Sequence, residues 1–115
     1  MIIYHITTQQ DWQNARAAGV YTAGSLAVDG FIHASTGEQV PETARRFYQG
    51  RHGLLLLAIE TSRVGPEVRF DPVTLPGGET RFPHIYGPLN LDAVTGIAPF
   101  EPDERGDFSL PENFS

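Results

Sequence analysis

The sequence predicts a single α+β domain. Two observations predict it: five short runs with strand character are spread along the chain, and two longer segments between them combine helical spacing with start and stop signals. "MIIYHI" opens as a strand of β-branched and aromatic residues. "TTQQDWQNARAAG" follows as a helix, with Thr8 as N-cap, Gly19 as terminator, and Trp12, Ala15 and Ala18 on its apolar face. After a loop around "TAGSLAVDG", "FIHA" reads as a second strand. The second helix is "STGEQVPETARRFYQG": Ser35 and Glu38 form an S-x-x-E capping box, Pro41 falls in the tolerated first turn, and Gly50 closes it. Val40, Ala44, Phe47 and Tyr48 recur there at helical spacing, so one face packs inward. "LLLLAIE", residues 54–60, is a continuous apolar run suited to a central strand buried on both faces. "EVRF" alternates as a half-buried strand does, and "LDAVTGIAPF" reads as the last strand. Between them, "DPVTLPGGETRFPHIYGPL" reads by its Pro and Gly content as a long loop, the kind that in a small domain is usually functional or disordered.

Composition narrows the classes of function. With 115 residues the chain can bury roughly two thirds of its unfolded surface, enough for one core. The absence of cysteine removes disulfides, thiolate metal sites and a cysteine nucleophile. All eight basic residues are arginine, so no lysine is present to form a Schiff base. Residues 101–115 hold five acidic residues against Arg105, a net −4 of the total −6, which leaves −2 for residues 1–100. The expected organisation is therefore one domain over 1–100 and an acidic, loosely ordered tail over 101–115. A nearly neutral body argues against a broad nucleic-acid surface but suits a small anionic ligand. With no basic leader and no apolar run of membrane-spanning length, the chain reads as soluble and cytoplasmic, with no membrane partner. Nothing in the sequence decides its oligomeric state.

Three of the four histidines stand among bulky apolar residues: His5 in "IIYHITT", His33 in "GFIHAST" and His84 in "RFPHIYGPL". His5 and His33 each end a strand and are followed two residues later by a hydroxyl, Thr7 and Ser35. Residues i and i+2 share a strand face, so imidazole and hydroxyl can address one ligand, and each strand leads to a helix N-terminus that favours anions. Taken singly, such a histidine is more often a satisfied structural residue, and Ser35 and Thr7 or Thr8 are explained as caps. The triple occurrence points to a shared site. His52, in "QGRHG", reads as an exposed turn residue.

Three chemistries compete for that site. A tri-histidine metal centre gains no support from spacing, because no H-x-H, H-x-x-x-H or H-E-x-x-H is present, and no metal is assigned. "HIT" and "HAS" match the paired H-x-[ST] motifs of two-histidine phosphoesterases, in which one imidazole is base and the other acid. Those enzymes carry the motifs in two similar lobes, whereas His5 and His33 stand too close in this chain for that arrangement.

The third reading rests on a family. "IYHITT", "GFIHAST" and "FPHIYGPL" together resemble the signatures of an uncharacterised, largely bacterial family catalogued as domain of unknown function 952, over about Ile3 to Val94. That family is thought to be similar to ADP-ribosyltransferases, whose small split antiparallel sheets grip NAD in a cleft. The resemblance therefore implies such sheets with two helices here, and NAD as a substrate in place of any bound prosthetic group. Residue by residue, His5 and Thr7 match the first motif, with Ile6 replacing its glycine, and Phe31, His33 and the helix from Ser35 resemble the second. Glu79 is the candidate for the third, a glutamate, while His84 stands where the family's own signature is strongest. The nearer analogue is the tRNA 2′-phosphotransferase branch, which relies on histidines and arginine.

The expected cleft is thus lined by His5, His33, His84 and Glu79 as catalytic candidates. Thr7, Ser35, Thr36, Arg81, Tyr86 and Arg46 are the ligand-binding candidates, the arginines for phosphate and Tyr86 for stacking on a ring. The expected partner is a small NAD-derived or phosphorylated nucleotide. A two-histidine phosphoesterase-like enzyme remains one alternative, and a nucleotide sensor without turnover, or a protein-interaction domain using the loop and tail, remains the alternative in a different class.

Overall fold

The computed structural model describes residues 1–112 and Phe114. It is an α+β arrangement of three antiparallel sheets and three helices, one helix more than expected. The strands are β1 (Ile2–Thr8), β2 (Val20–Tyr21), β3 (Ile32–His33), β4 (Leu54–Glu60), β5 (Glu67–Leu75), β6 (Gly78–Tyr86), β7 (Leu89–Asn90) and β8 (Val94–Phe100). The helices are α1 (Gln9–Ala18), α2 (Gly24–Asp29) and α3 (Val40–Tyr48). One sheet has the order β1-β4-β8, a second β3-β6-β5, and β2 with β7 forms a small third. Among the described residues no helix is long and apolar enough to cross a membrane.

Strand β4 organises the core, and its uninterrupted apolar run explains how. Alternate side chains of a strand point to opposite faces. Leu55, Leu57 and Ile59 accordingly meet Trp12 of α1, Tyr21, Ile32 and Ile85, while Leu54, Leu56 and Ala58 meet Val40 and Ala44 of α3, Phe100 and Phe108. The expectation of a strand buried on both faces is met, because β4 lies between β1 and β8 and is covered above and below. Helix α1 also starts and stops where its signals lie: the Thr8 hydroxyl accepts from the Asp11 N–H at 3.1 Å, and Gly19 takes the left-handed conformation at φ 79°.

Three expectations are corrected. The loop around residues 22–30 contains the short helix α2. Ser35 does not cap a helix: its backbone bridges Tyr4 in both directions at 2.8 Å, and α3 begins only at Val40, with the Gln39 side chain reaching back to the Thr36 N–H at 2.9 Å. Pairing with β1 outweighs the local capping signal. The segment 71–89, expected as a loop, is largely the β5–β6 hairpin, closed by the pair Leu75 and Gly78 around a Pro76-Gly77 turn with φ 97° at Gly77. That is the Pro-then-Gly pattern of a type II turn. Pro72 is tolerated because β5 is an edge strand, where a missing N–H faces outward.

The acidic stretch after β8 is tied back to the domain at several points, Phe108 being the one that enters the core. Phe108 is buried and stacks on Phe100 with ring centroids 4.7 Å apart, while Asp103, Glu104 and Asp107 surround a turn that bonds back to Gly50 through the Gly106 carbonyl. Replacing Phe108 by Ala is expected to lower unfolding stability by about 3 kcal/mol, a usual cost for deleting a buried aromatic ring. Urea unfolding checks this, and a loss below about 0.5 kcal/mol would mean that the anchor is not made.

Candidate functional site

A cavity of about 640 Å³ opens beside β1, between the β1-β4-β8 and β3-β6-β5 sheets, with α3 closing one side. Its walls include His5, Thr7, Tyr21, His33, Ser35 and His84, an apolar surface from Val73, Leu75, Phe82 and Phe47, and the arginines Arg46 and Arg51. Of the expected site residues, the fold therefore brings together His5, Thr7, His33, Ser35, Arg46 and His84.

His5 is held on both ring nitrogens. Nδ1 lies 2.5 Å from the His33 carbonyl oxygen, which can only accept, so Nδ1 carries the proton and donates. Nε2 lies 2.7 Å from the Tyr21 hydroxyl, which in turn lies 2.9 Å from the Thr7 hydroxyl. Burial pushes the His5 pKa down from 6.5 to about 4, so the ring is neutral and Nε2 accepts from Tyr21. One phenolic proton cannot serve two bonds, so the Thr7 hydroxyl donates to the Tyr21 oxygen. Burial likewise raises Tyr21 to about 12. His5 and Thr7 are thus consumed in a closed chain, where the sequence suggested that they address a ligand.

His33 and His84 are arranged differently. They are register partners on β3 and β6, with ring centroids 5.3 Å apart. Each has one nitrogen on a carboxylate: His84 Nδ1 lies 2.8 Å from Asp71, and His33 Nε2 lies 3.0 Å from Asp29 at the end of α2. Phe31 stacks flat on His84 at 4.0 Å and fixes the plane of its ring. Asp71 also accepts a short bond from the Tyr86 hydroxyl. This bond first, then the one from His84, and then the Arg69 charge hold the Asp71 carboxyl below its usual range, while Tyr86 is raised by the same bond to Asp71. His84 is 4% exposed, and among the described residues its Nε2 has no hydrogen-bond partner. Among the described residues no fully enclosed polar side-chain atom lacks a partner, so Nε2 keeps some accessible surface, and His84 is a residue of the cavity wall.

The helical wall completes the lining. Ser35 and Thr43 hydroxyls bond at 3.1 Å, and Arg46 Nε lies 3.3 Å from Glu42, which also receives Arg45 at 2.6 Å. The Arg51 guanidinium sits 5.1 Å from the centre of the Tyr48 ring. Among the described residues it meets no carboxylate, and no group of three or more His, Cys, Asp or Glu side chains is placed to hold a metal ion.

Four expected residues lie outside the lining, and strand parity explains two of them. On β6 the even positions Phe82 and His84 face the cavity, so Glu79 and Arg81, expected as catalytic and phosphate-binding groups, belong to the opposite face. Arg81 instead donates to the Phe70 carbonyl at 3.1 Å, and Glu79 sits exposed beside the hairpin turn. Tyr86 shares the parity of His84 but is drawn to Asp71 and packs under Arg69 at 4.7 Å. Thr36 is used in the turn before α3. The contributors not anticipated include Arg51, Tyr21, Asp29 and Asp71. Lone polar residues carry no spacing signal, and Asp71 became visible only once its segment was known to be a strand.

The family model described as "Protein of unknown function (DUF952)" matches residues 6–97. The chain belongs to this family. DUF952 here takes in His33, His84, Asp29 and Asp71, and leaves out the acidic stretch beyond residue 97. The chain is similar to the crystal structure of Protein CC0527 from Caulobacter crescentus, at 37% identity over 96% of this chain and 95% of that one, with a TM-score of 0.84. It is similar also to the solution NMR structure of CC0527, at 37% identity over 92% and 90%, with a TM-score of 0.77. No curated protein matches. The family and the fold are thereby shared, and neither name states an activity.

The clasp on His5 makes stability depend on pH. Its folded pKa of about 4 lies below 6.5, so the unfolded chain binds more protons between these values and stability rises with pH. The contribution is fully present above pH 6.5 and is lost as pH falls toward 4, on the order of 3 kcal/mol in all. A His5→Gln variant, which keeps a donor and an acceptor, should lose about one proton from this pH slope in urea titrations at stepped pH. An unchanged slope would contradict the buried neutral ring.

Proposed function

We propose that the cavity binds a small phosphorylated nucleotide, either derived from NAD or carrying a cyclic phosphate. One observation carries the reading: Arg51, whose guanidinium meets no carboxylate among the described residues, His84, whose Nε2 has no hydrogen-bond partner among them, and an apolar wall line a single cavity of about 640 Å³. That volume is in the usual range for small-molecule sites, which combine apolar lining with a few polar groups. Arg51 supplies the charge for phosphate. Phe82, Val73 and Leu75 supply a surface for a planar base. The nearly neutral body favours a small ligand over a nucleic-acid strand, and a cytoplasmic setting accords with such a ligand.

Two small antiparallel sheets flank the cavity, an arrangement that accords with the ADP-ribosyltransferase-like reading of the sequence motifs and with its ligand class. That reading does not extend to transfer of ADP-ribose through a glutamate. Glu79 belongs to the other face of β6, and Glu42, the glutamate in the wall, is held by Arg45 and Arg46.

Thermal shift and calorimetry with NAD, ADP-ribose and a ribose 2′,3′-cyclic nucleotide test the reading. At one hundred times its dissociation constant a bound ligand adds about 2.7 kcal/mol of stability. At least one of the three is expected to do so, with affinity reduced about tenfold or more by Arg51→Gln and unchanged by Arg81→Gln. No stabilisation by any of them, or equal binding in Arg51→Gln, overturns it.

A further inference from the structure

We propose that His33 and His84 act as a general acid–base pair that opens a cyclic phosphodiester, a step that rests on the nucleotide-binding reading above. Sequence spacing paired His5 with His33, but the fold ties both His5 nitrogens to protein atoms and sets His84 beside His33. A carboxylate accepts only from N–H, so the nitrogen facing it carries a proton and the opposite nitrogen is the working one. For His84 that is Nε2 and for His33 it is Nδ1, both rings belonging to the cavity wall. Asp71 and Asp29 thus play the orienting part that a carboxylate plays behind any catalytic imidazole.

The nature of the leaving group follows from having two proton carriers. A departing phosphate leaves without a proton, whereas a departing ribose alkoxide needs one, so the pair suits an ester P–O bond to a sugar. A cyclic diester bears one negative charge, which suits Arg51, since Arg46, the other arginine of the wall, is paired with Glu42, and ring opening keeps both ends of the broken bond in one cavity.

The step balances as a hydrolysis. His84 Nε2 takes a proton from water as the water oxygen bonds to phosphorus. The P–O bond to one ribose oxygen breaks, and that oxygen receives the proton held on His33 Nδ1. The product is the ring-opened phosphomonoester, with His84 protonated and His33 neutral. The pair resets when His84 gives up its proton to water entering the cavity and His33, whose side chain is 57% exposed, takes one from solvent. Asp71 and Asp29 are positioning residues.

The probe is adenosine 2′,3′-cyclic phosphate, incubated with the full chain and a chelator in heavy-oxygen water, with products resolved by chromatography and mass spectrometry. The expected result is one monophosphate isomer carrying one heavy oxygen. His33→Gln and His84→Gln should each lower kcat by about 100-fold or more while the dissociation constant for the probe stays within about threefold. Asp71→Asn should lower kcat with KM kept, because the ring loses its enforced tautomer. Should His84→Gln fail to fold, the exposed His33 carries the test through His33→Gln alone. Binding without ring opening overturns the acid–base pair and leaves the binding reading standing. Absence of binding overturns both, and full turnover in the histidine variants overturns the assignment of the pair.

Discussion

The hydrogen bond from His5 to the carbonyl of His33 is the contact on which the shape of the cavity depends. β1 belongs to one sheet and β3 to another, and among the described residues two hydrogen-bonded links tie β1 to β3 and the segment just after it: the backbone bridge between Tyr4 and Ser35, and this side-chain bond from the next residue of β1 to the last residue of β3. Such a bond is worth about 1 kcal/mol net, but leaving its partners buried and unpaired costs about 1–3 kcal/mol each. The His5 ring, the Tyr21 hydroxyl and the Thr7 hydroxyl therefore form one unit, of which no part can be removed without stranding another. What that unit positions is the backbone of His33, and hence the register of β3 against β6.

From that register the rest of the site follows. β3 is only two residues long, yet it sets His33 opposite His84, and the alternation of β5 and β6 then puts Asp71, Phe82 and His84 on one face. A carboxylate that accepts from both Tyr86 and His84 is fixed from two directions, and Phe31 fixes the imidazole from a third. Groups so held on strands are better oriented than groups on a loop. The two imidazoles facing the cavity differ from His5 in what surrounds them: each has one nitrogen committed to a carboxylate and one left over, while His5 has none to spare.

How much of this was legible in the sequence depended on whether a feature is local. Thr8 and Gly19 bound α1 as their chemistry requires, and the apolar run 54–60 is the doubly covered strand that its composition announces. The Ser35-x-x-Glu38 box is equally local in form, yet it fails, because a distant strand offered the Ser35 backbone a better partner. Pro and Gly made residues 71–89 resemble a loop; an edge strand accepts Pro72, and the tight turn needs Pro76 and Gly77. That misreading had a consequence for the site. Without strand alternation, Glu79 and Arg81 looked equivalent to His84 and Tyr86, and Asp71 had no reason to be noticed. The histidines stand out in the sequence by their bulky apolar neighbours, while their division into one ring bonded on both nitrogens and two rings with one nitrogen each on a carboxylate depends on the register.

That division is the central claim, and imidazole nitrogen NMR across a pH titration, with and without a saturating cyclic nucleotide, tests it most directly. The account predicts that His5 stays neutral, protonated on Nδ1, down to about pH 4 and is unmoved by the nucleotide, whereas the His33 and His84 nitrogen signals shift on its addition. A His5 ring that titrates near 6.5, or that responds to the nucleotide while His84 does not, would contradict it.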